Sequence, residues 1–226
     1  MSTSRWAFER GILWGVELDA PTPRVVPKLE ARFQECGPDT AIALAAAMGL
    51  RDAGQVRDRL ATGRRCMLAW VGDEIAAYGW ISVRPEYISE QEREIALQAN
   101  EAYIWNCATL PAFRGRRLYI ALLGEILAVL RAQGVRRAWI GTALSNLPSL
   151  RALATAGFQP ALTLTFARLG RFHCLRIGVP REAAGALTDA ARRELVMPDE
   201  HVWFSFAWGW SSPALPGTHA GIRAHQ

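Results

Sequence analysis

Three arginines crowd one glycine in Arg114-Gly115-Arg116-Arg117, directly after the run Tyr103–Thr109 and the breaker Leu110-Pro111. From Leu118 onward apolar residues recur with helical spacing. A strand, a basic turn containing glycine and a helix start together make an anion site. The first amides of a helix lack intrahelical acceptors, and the dipole end there is positive. Arg114, Arg116 and Arg117 add charge at the same spot, so the group that fits is a pyrophosphate. Downstream, Asn146 and Ser149 stand at the head of another helical run that ends at Gly157-Phe158. Upstream, Glu101 opens a strand whose first aromatic residues are Tyr103 and Trp105. A carboxylate entering an apolar cleft would have a raised pKa, which suits a general base; the alternative is a solvated charge at a strand end.

Periodicity and breakers give the elements that would carry these residues. Residues 1–27 read as an N-terminal arm with a strand-like run, Gly11–Glu17, broken by prolines at 21 and 23. Leu29–Phe33 alternates like a half-buried strand. Asp39 and Thr40 could cap a helix over Ile42–Leu50, and a second, Ala53–Leu60, would stop near Gly63. Arg65–Val71 and Ile75–Ser82, joined at Gly72-Asp73, read as a hairpin. Arg84 to Asn100 admits a loop, a short helix or a strand at Glu94–Leu97. Next come the strand ending at Thr109, a helix over 115–133, a strand Arg137–Thr142 and a helix over 148–156. Ala161–Arg168 and Arg171–Ile177 read as two strands joined at Gly170.

The sum is a mixed α/β domain with one central sheet over residues 28–178. The extension 179–226 departs from that rhythm: Arg181–Leu195 is helix-like, His201–Trp210 is aromatic, and Ser211–Gln226 reads as disordered. Trp203, Phe204, Phe206, Trp208 and Trp210 could line a pocket, join two copies of the chain as a homodimer, or form an extra strand on the core.

Composition narrows the function classes. Half of the 226 residues are hydrophobic and 21% are charged, with no run near the roughly 20 apolar residues of a membrane span. The start, Met1–Trp6, lacks the apolar core of a signal peptide, so a cytoplasmic protein with no membrane partner is expected. Cys36, Cys66, Cys107 and Cys174 show neither Cys-x-x-Cys nor Cys/His spacing, which points to reduced thiols and no metal. The net charge is +5, but Lys28 is the one lysine and the arginines are spread along the chain. No nucleic-acid surface is expected.

The segment Pro111–Leu123, with Asn146 and Gly157-Phe158 after it, resembles the GCN5-related N-acetyltransferase (GNAT) superfamily, over about residues 28–178. The resemblance implies a mostly antiparallel mixed sheet, splayed between its fourth and fifth strands and flanked by helices. It implies acetyl-CoA as acyl donor, a primary amine of a small molecule or amino acid as acceptor, direct attack in a ternary complex, and no metal. On this chain Cys107, Ala108 and Thr109 would pair with pantetheine, while Arg114, Gly115, Arg116, Arg117, Leu118 and Tyr119 would hold the pyrophosphate. Asn146 and Ser149 would close the other side. A strand N–H would polarise the thioester, and Cys107 would be a wall of the groove rather than a nucleophile. Some relatives hold a base where Glu101 stands, thirteen residues before Arg114.

Two departures follow from the same comparison. The family turn usually reads Arg-Gly-x-Gly-x-Gly/Ala, and here Arg117 and Tyr119 replace its second glycine and its final small residue. Many members also carry a tyrosine, seven residues after the asparagine, that protonates the leaving thiolate. That position is Leu153, which cannot; Ser149, Tyr119 or water could do so instead. The departures open an alternative, an acyl-CoA binding or sensing module without catalysis.

Overall fold

The structure is a computed structural model, described for residues 6–88, 93–169, 172–180, 183 and 185–194. Its strands are β1 (Trp6–Glu17), β2 (Arg32–Glu35), β3 (Arg65–Val71), β4 (Glu74–Ser82), β5 (Glu86–Ile88) and β6 (Arg93–Ile95). Then follow β7 (Glu101–Thr109), β8 (Arg137–Ala143), β9 (Gln159–Leu169) and β10 (Phe172–Gly178). The helices are α1 (Ala41–Ala47), α2 (Gly54–Ala61), α3 (Leu118–Ala132), α4 (Leu147–Thr155) and α5 (Gly185–Glu194). Eight strands form one sheet in the order β10-β9-β1-β8-β7-β4-β3-β2, and β5 and β6 pair separately. Every junction in the large sheet is antiparallel except β7–β8, which is parallel. This is the open mixed sheet flanked by helices that the resemblance implies.

Side chains alternate across the sheet and so build two apolar layers. Trp14, Ile81, Ile104 and Ile140 face α3 and α4, together with Leu118, Leu122, Ile126 and Leu153. On the other face, Leu13, Tyr103, Trp139 and Leu162 pack with Leu187, Ala190 and Ala191 of α5. Leu68, Tyr78 and Trp80 pack with Leu44 of α1 and Val56 of α2. Helix α3 stops where Gly134 takes φ +80° and Val135 N–H reaches back to Leu130 O at 3.0 Å. No helix among the described residues is long and apolar enough to cross a membrane.

The sheet departs from expectation at its N-terminal strand. The run read as part of an arm is longer and lies inside the sheet. It pairs with β8 from Gly11↔Ala143 to Glu17↔Arg137, and with β9 from Trp6↔Leu169 to Gly15↔Gln159. The reason is in its composition: Ile12-Leu-Trp-Gly-Val16 is apolar on both sides, as a strand with covered faces must be. A domain boundary at residue 28 therefore leaves out a strand of the sheet. Strand β2 falls later than the expected Leu29–Phe33, and the ambiguous 84–100 segment supplies β5 and β6. Helix α5, within the extension, packs on β1 and β9. The aromatic residues 203–210 and the tail from 211 lie outside the described residues.

Candidate active site

Strands β7 and β8 stay paired only from Glu101↔Arg137 to Ile104↔Ile140. The closed end is held by charge. Glu101 accepts from Arg137 Nη1 at 2.6 Å and from Trp139 Nε1 at 2.9 Å, and Arg137 Nε also donates to Glu17 at 2.8 Å. Beyond Ile104 the strands part, and a bulge in β7 turns the chain. Trp105 faces Trp80 and Ala108 faces Tyr78, so Asn106 and Cys107 together stand opposite Gly79. Asn106 adopts φ +43°, a left-handed conformation that asparagine tolerates better than most residues. Gly79 fits this crossing closely: a Cβ there would lie 3.0 Å from Cys107 Sγ and 3.1 Å from Ile126 Cδ1, so those side chains would have to shift. Between Cys107 and Thr109, the edge of β7 toward β8 has no paired strand among the described residues.

A groove of about 710 Å³ runs from this open edge to the start of α3. Gly115 has φ +73° and nothing within 4 Å of where a Cβ would be, so the space over its backbone is open. Arg117 precedes α3 with φ 62° and ψ 13°. The ladder of α3 begins with Ala121 N–H to Arg117 O at 3.1 Å, which leaves the amides of Leu118, Tyr119 and Ile120 without intrahelical acceptors. The turn is pinned from behind. Arg114 Nε donates to Thr109 O at 3.3 Å, and Lys28 N–H donates to Arg116 O at 2.9 Å. Across the groove, Asn146 caps α4 by accepting from Ser149 N–H at 3.2 Å.

Cys107, Ala108, Thr109, Arg114, Gly115, Arg116, Arg117, Leu118, Tyr119, Asn146 and Ser149 all border this one groove. Glu101 does not. It lies at the clamped end of β7, roughly 20 Å of strand from Cys107 at the usual rise per residue. It is buried, engaged by Arg137 and Trp139, and borders neither cavity of the splay. The expectation that it serves as general base is corrected: its carboxylate closes the sheet where β7 and β8 still pair.

A second cavity, of about 560 Å³, opens on the α2 side of the splay. Arg10, Arg59, Glu86, Tyr103, Trp105 and Thr142 border it, while Cys107, Tyr119, Asn146 and Ser149 border both cavities. The parting of β7 and β8 thus joins them. Burial pushes the Cys107 thiol up to about 12 and raises the Tyr119 phenol, so both carry their protons at neutral pH. Glu86 accepts from Arg64 Nε at 2.7 Å, Arg64 Nη2 at 2.9 Å and the Ser82 hydroxyl. Trp105 Nε1 in turn donates to Ser82 Oγ at 3.0 Å. The Arg59 guanidinium stacks on Trp80 and Trp105, 5.0 Å and 4.8 Å from the ring centroids. Leu153, on the buried face of α4, is fully buried and borders neither cavity.

Sequence reasoning missed Asn106, Arg59, Glu86 and the β1 wall at Arg10. Asn106 carried a signal, since asparagine within an otherwise strand-prone run marks a bulge. The others are brought in by tertiary pairing, and no local pattern announces them.

Residues 29–158 match the sequence profile of the acetyltransferase (GNAT) family. Solved structures are similar in fold. A fungal GCN5-related glucosamine N-acetyltransferase region of a multi-domain β-N-acetylglucosaminidase superposes with TM-score 0.54 and 12% identity, over 72% of this chain and 21% of that one. A GCN5-related N-acetyltransferase from Sphaerobacter thermophilus gives TM-score 0.51 and 18% identity, over 78% of this chain and 54% of that one. A Drosophila protein gives 0.51 and 14%, over 73% and 52%. The chain thus spans about half the length of the last two. No curated protein matches.

Proposed function

The chain belongs to the acetyltransferase (GNAT) family, and from that premise we propose that it moves an acetyl group from acetyl-CoA to a primary amine of a small molecule. The observation that carries the reading is the continuity of open backbone. Free amides at the start of α3, bare space over Gly115 and the unpaired edge of β7 border a single groove that opens onto a second cavity. Pyrophosphate would rest on the amides from Gly115 to Ile120, with Arg114, Arg116 and Arg117 supplying charge. Pantetheine would run along Cys107–Thr109, where the buried Thr109 hydroxyl has no hydrogen-bond partner. Bound there, the donor supplies an activated acyl group.

The chain's own residues would then do four things. The bulged backbone at Asn106–Cys107 offers N–H groups to the oxygen on which charge develops. Tyr119, at the junction of the cavities and protonated, donates a proton to the departing thiolate and is reprotonated by the proton that the attacking nitrogen sheds through solvent as the amide forms. Cys107, a neutral thiol, serves as wall. The second cavity holds the amine in line for direct attack, and positioning supplies much of the rate. With Glu101 elsewhere, Glu86 already engaged and Glu9 exposed to solvent, the amine arrives deprotonated from solvent. The kcat/KM should therefore climb with pH up to the acceptor's own pKa; a plateau well below it would show that a protein base is at work.

Titrating coenzyme A into wild type and Gly115→Ala by calorimetry tests the reading. The variant places a methyl in the open space and strains the turn by about 1 kcal/mol. It should bind at least about tenfold more weakly, a loss of 1.4 kcal/mol; equal affinity would remove the turn from the site. The burial of Leu153 favours a second reading, binding without turnover, which acetylation of any amine in a broad panel would dismiss.

A further inference from the structure

The wall of the second cavity contains a cation that the proposed chemistry does not use. The Arg59 guanidinium lies over two indoles, Trp80 at 5.0 Å and Trp105 at 4.8 Å, and with the ring centroids 5.7 Å apart both cover the same side of it. The rings contact the π-face of the cation and do not use its N–H groups, all five of which point outward at the edge of the guanidinium plane. Nη1 is buried and has no hydrogen-bond partner. Among the described residues no carboxylate forms an ion pair with Arg59; the acid nearest in kind, Glu86, is bonded to Arg64 and Ser82. Burial also lowers the Arg59 pKa, yet an arginine so placed stays charged. A fixed, half-buried charge with an unmet donor, bordering a cavity, is a binding group awaiting its ligand.

The geometry points to a carboxylate on the acceptor: this site acetylates amines that also carry a carboxylate, and Arg59 grips that group by its edge. The inference rests on the acetyltransfer reading. The shape of the donor favours a planar, forked partner, which a carboxylate is. Two acids, Glu9 and Glu86, and two arginines, Arg10 and Arg59, border the same cavity, so its lining holds no surplus positive charge for a doubly charged group. Trp80 and Trp105 back the guanidinium from one side, which reduces the freedom it has to lose on binding.

Matched acceptors decide it. The full chain is assayed with acetyl-CoA and an α-amino acid, the amine left by its decarboxylation, and the corresponding aminophosphonate, reading free thiol. The amino acid should exceed the plain amine in kcat/KM by on the order of tenfold to a hundredfold, the range for one hydrogen bond to a charged group. Arg59→Gln should erase that preference with coenzyme A affinity unchanged, and Arg59→Lys should keep part of it. Equal rates for amino acid and plain amine, a preference for the phosphonate, or a preference that survives Arg59→Gln would each overturn the assignment. If nothing turns over, calorimetry of the same acids with the coenzyme A-loaded chain separates the two ideas. Heat that vanishes in Arg59→Gln keeps the carboxylate site while acetyltransfer falls, and no heat overturns the site itself.

Discussion

Arg117 occupies backbone that glycine would hold more cheaply. Its φ of 62° puts a side chain where an L-residue is strained by about 1–2 kcal/mol, and the exposed side chain has room to point away from the groove. Arg117→Gly should leave unfolding free energy unchanged or higher by up to about 1 kcal/mol in urea titrations, because relief of strain competes with a more flexible unfolded chain. A clear loss would mean that the arginine packs. Glu101 sets the opposite case. Glu101→Gln keeps an acceptor for Trp139 but strips Arg137 of a partner, so stability should fall by about 1–3 kcal/mol while kcat and its pH profile hold. Reduced kcat at full stability would return Glu101 to the chemistry. Cys107 makes a prediction with a sign. Its thiol titrates near 9 when unfolded and about 12 when folded, so the folded state holds the proton longer. Its contribution is complete below pH 9 and fades as pH rises toward 12. Alkylation by iodoacetamide at pH 8 should accordingly be slow in the native protein and fast in urea.

At the level of elements, how much was legible depends on how local the cause is. The strand Glu101–Thr109, the turn at Gly115, helix α3 and the cap at Asn146 were readable, because each is written in adjacent residues: an apolar run, a glycine, a 3.6-residue period, a capping side chain. Every groove residue named from that pattern does border the groove. Glu101 misled for the opposite reason. A carboxylate at a strand start gives no hint of an arginine and an indole on the neighbouring strand, 36 and 38 residues away. Arg59 stayed silent for the same cause, since its stacking on Trp80 and Trp105 exists only once α2 lies on the sheet. Strand β1 offers the sharpest test of an element. A Cβ on Gly15 would come within 2.5 Å of the Trp139 ring and 3.1 Å of Leu187. Gly15→Ala should destabilise by about 1–3 kcal/mol in urea, as overpacking does, whereas a residue in a loose arm would tolerate it.

Across the whole molecule, β1 is the piece that joins two halves of the sheet. Among the described residues, strands β9 and β10 reach β8 only through it, and α5 packs partly on it. Removing residues 1–18 should therefore abolish cooperative thermal unfolding, not trim an appendage; a truncated chain that melts as sharply as the full one would refute this. The same arrangement dictates an order of events at birth. Glu17 meets Arg137, its partner 120 positions away, only after the whole intervening stretch has left the ribosome. Strand β1 must wait, apolar and unshielded, until β8 and β9 emerge. Closing so long a loop is entropically slow. Refolding should lag behind that of proteins of like size with local contacts, and the waiting segment is where a chaperone would hold the nascent chain.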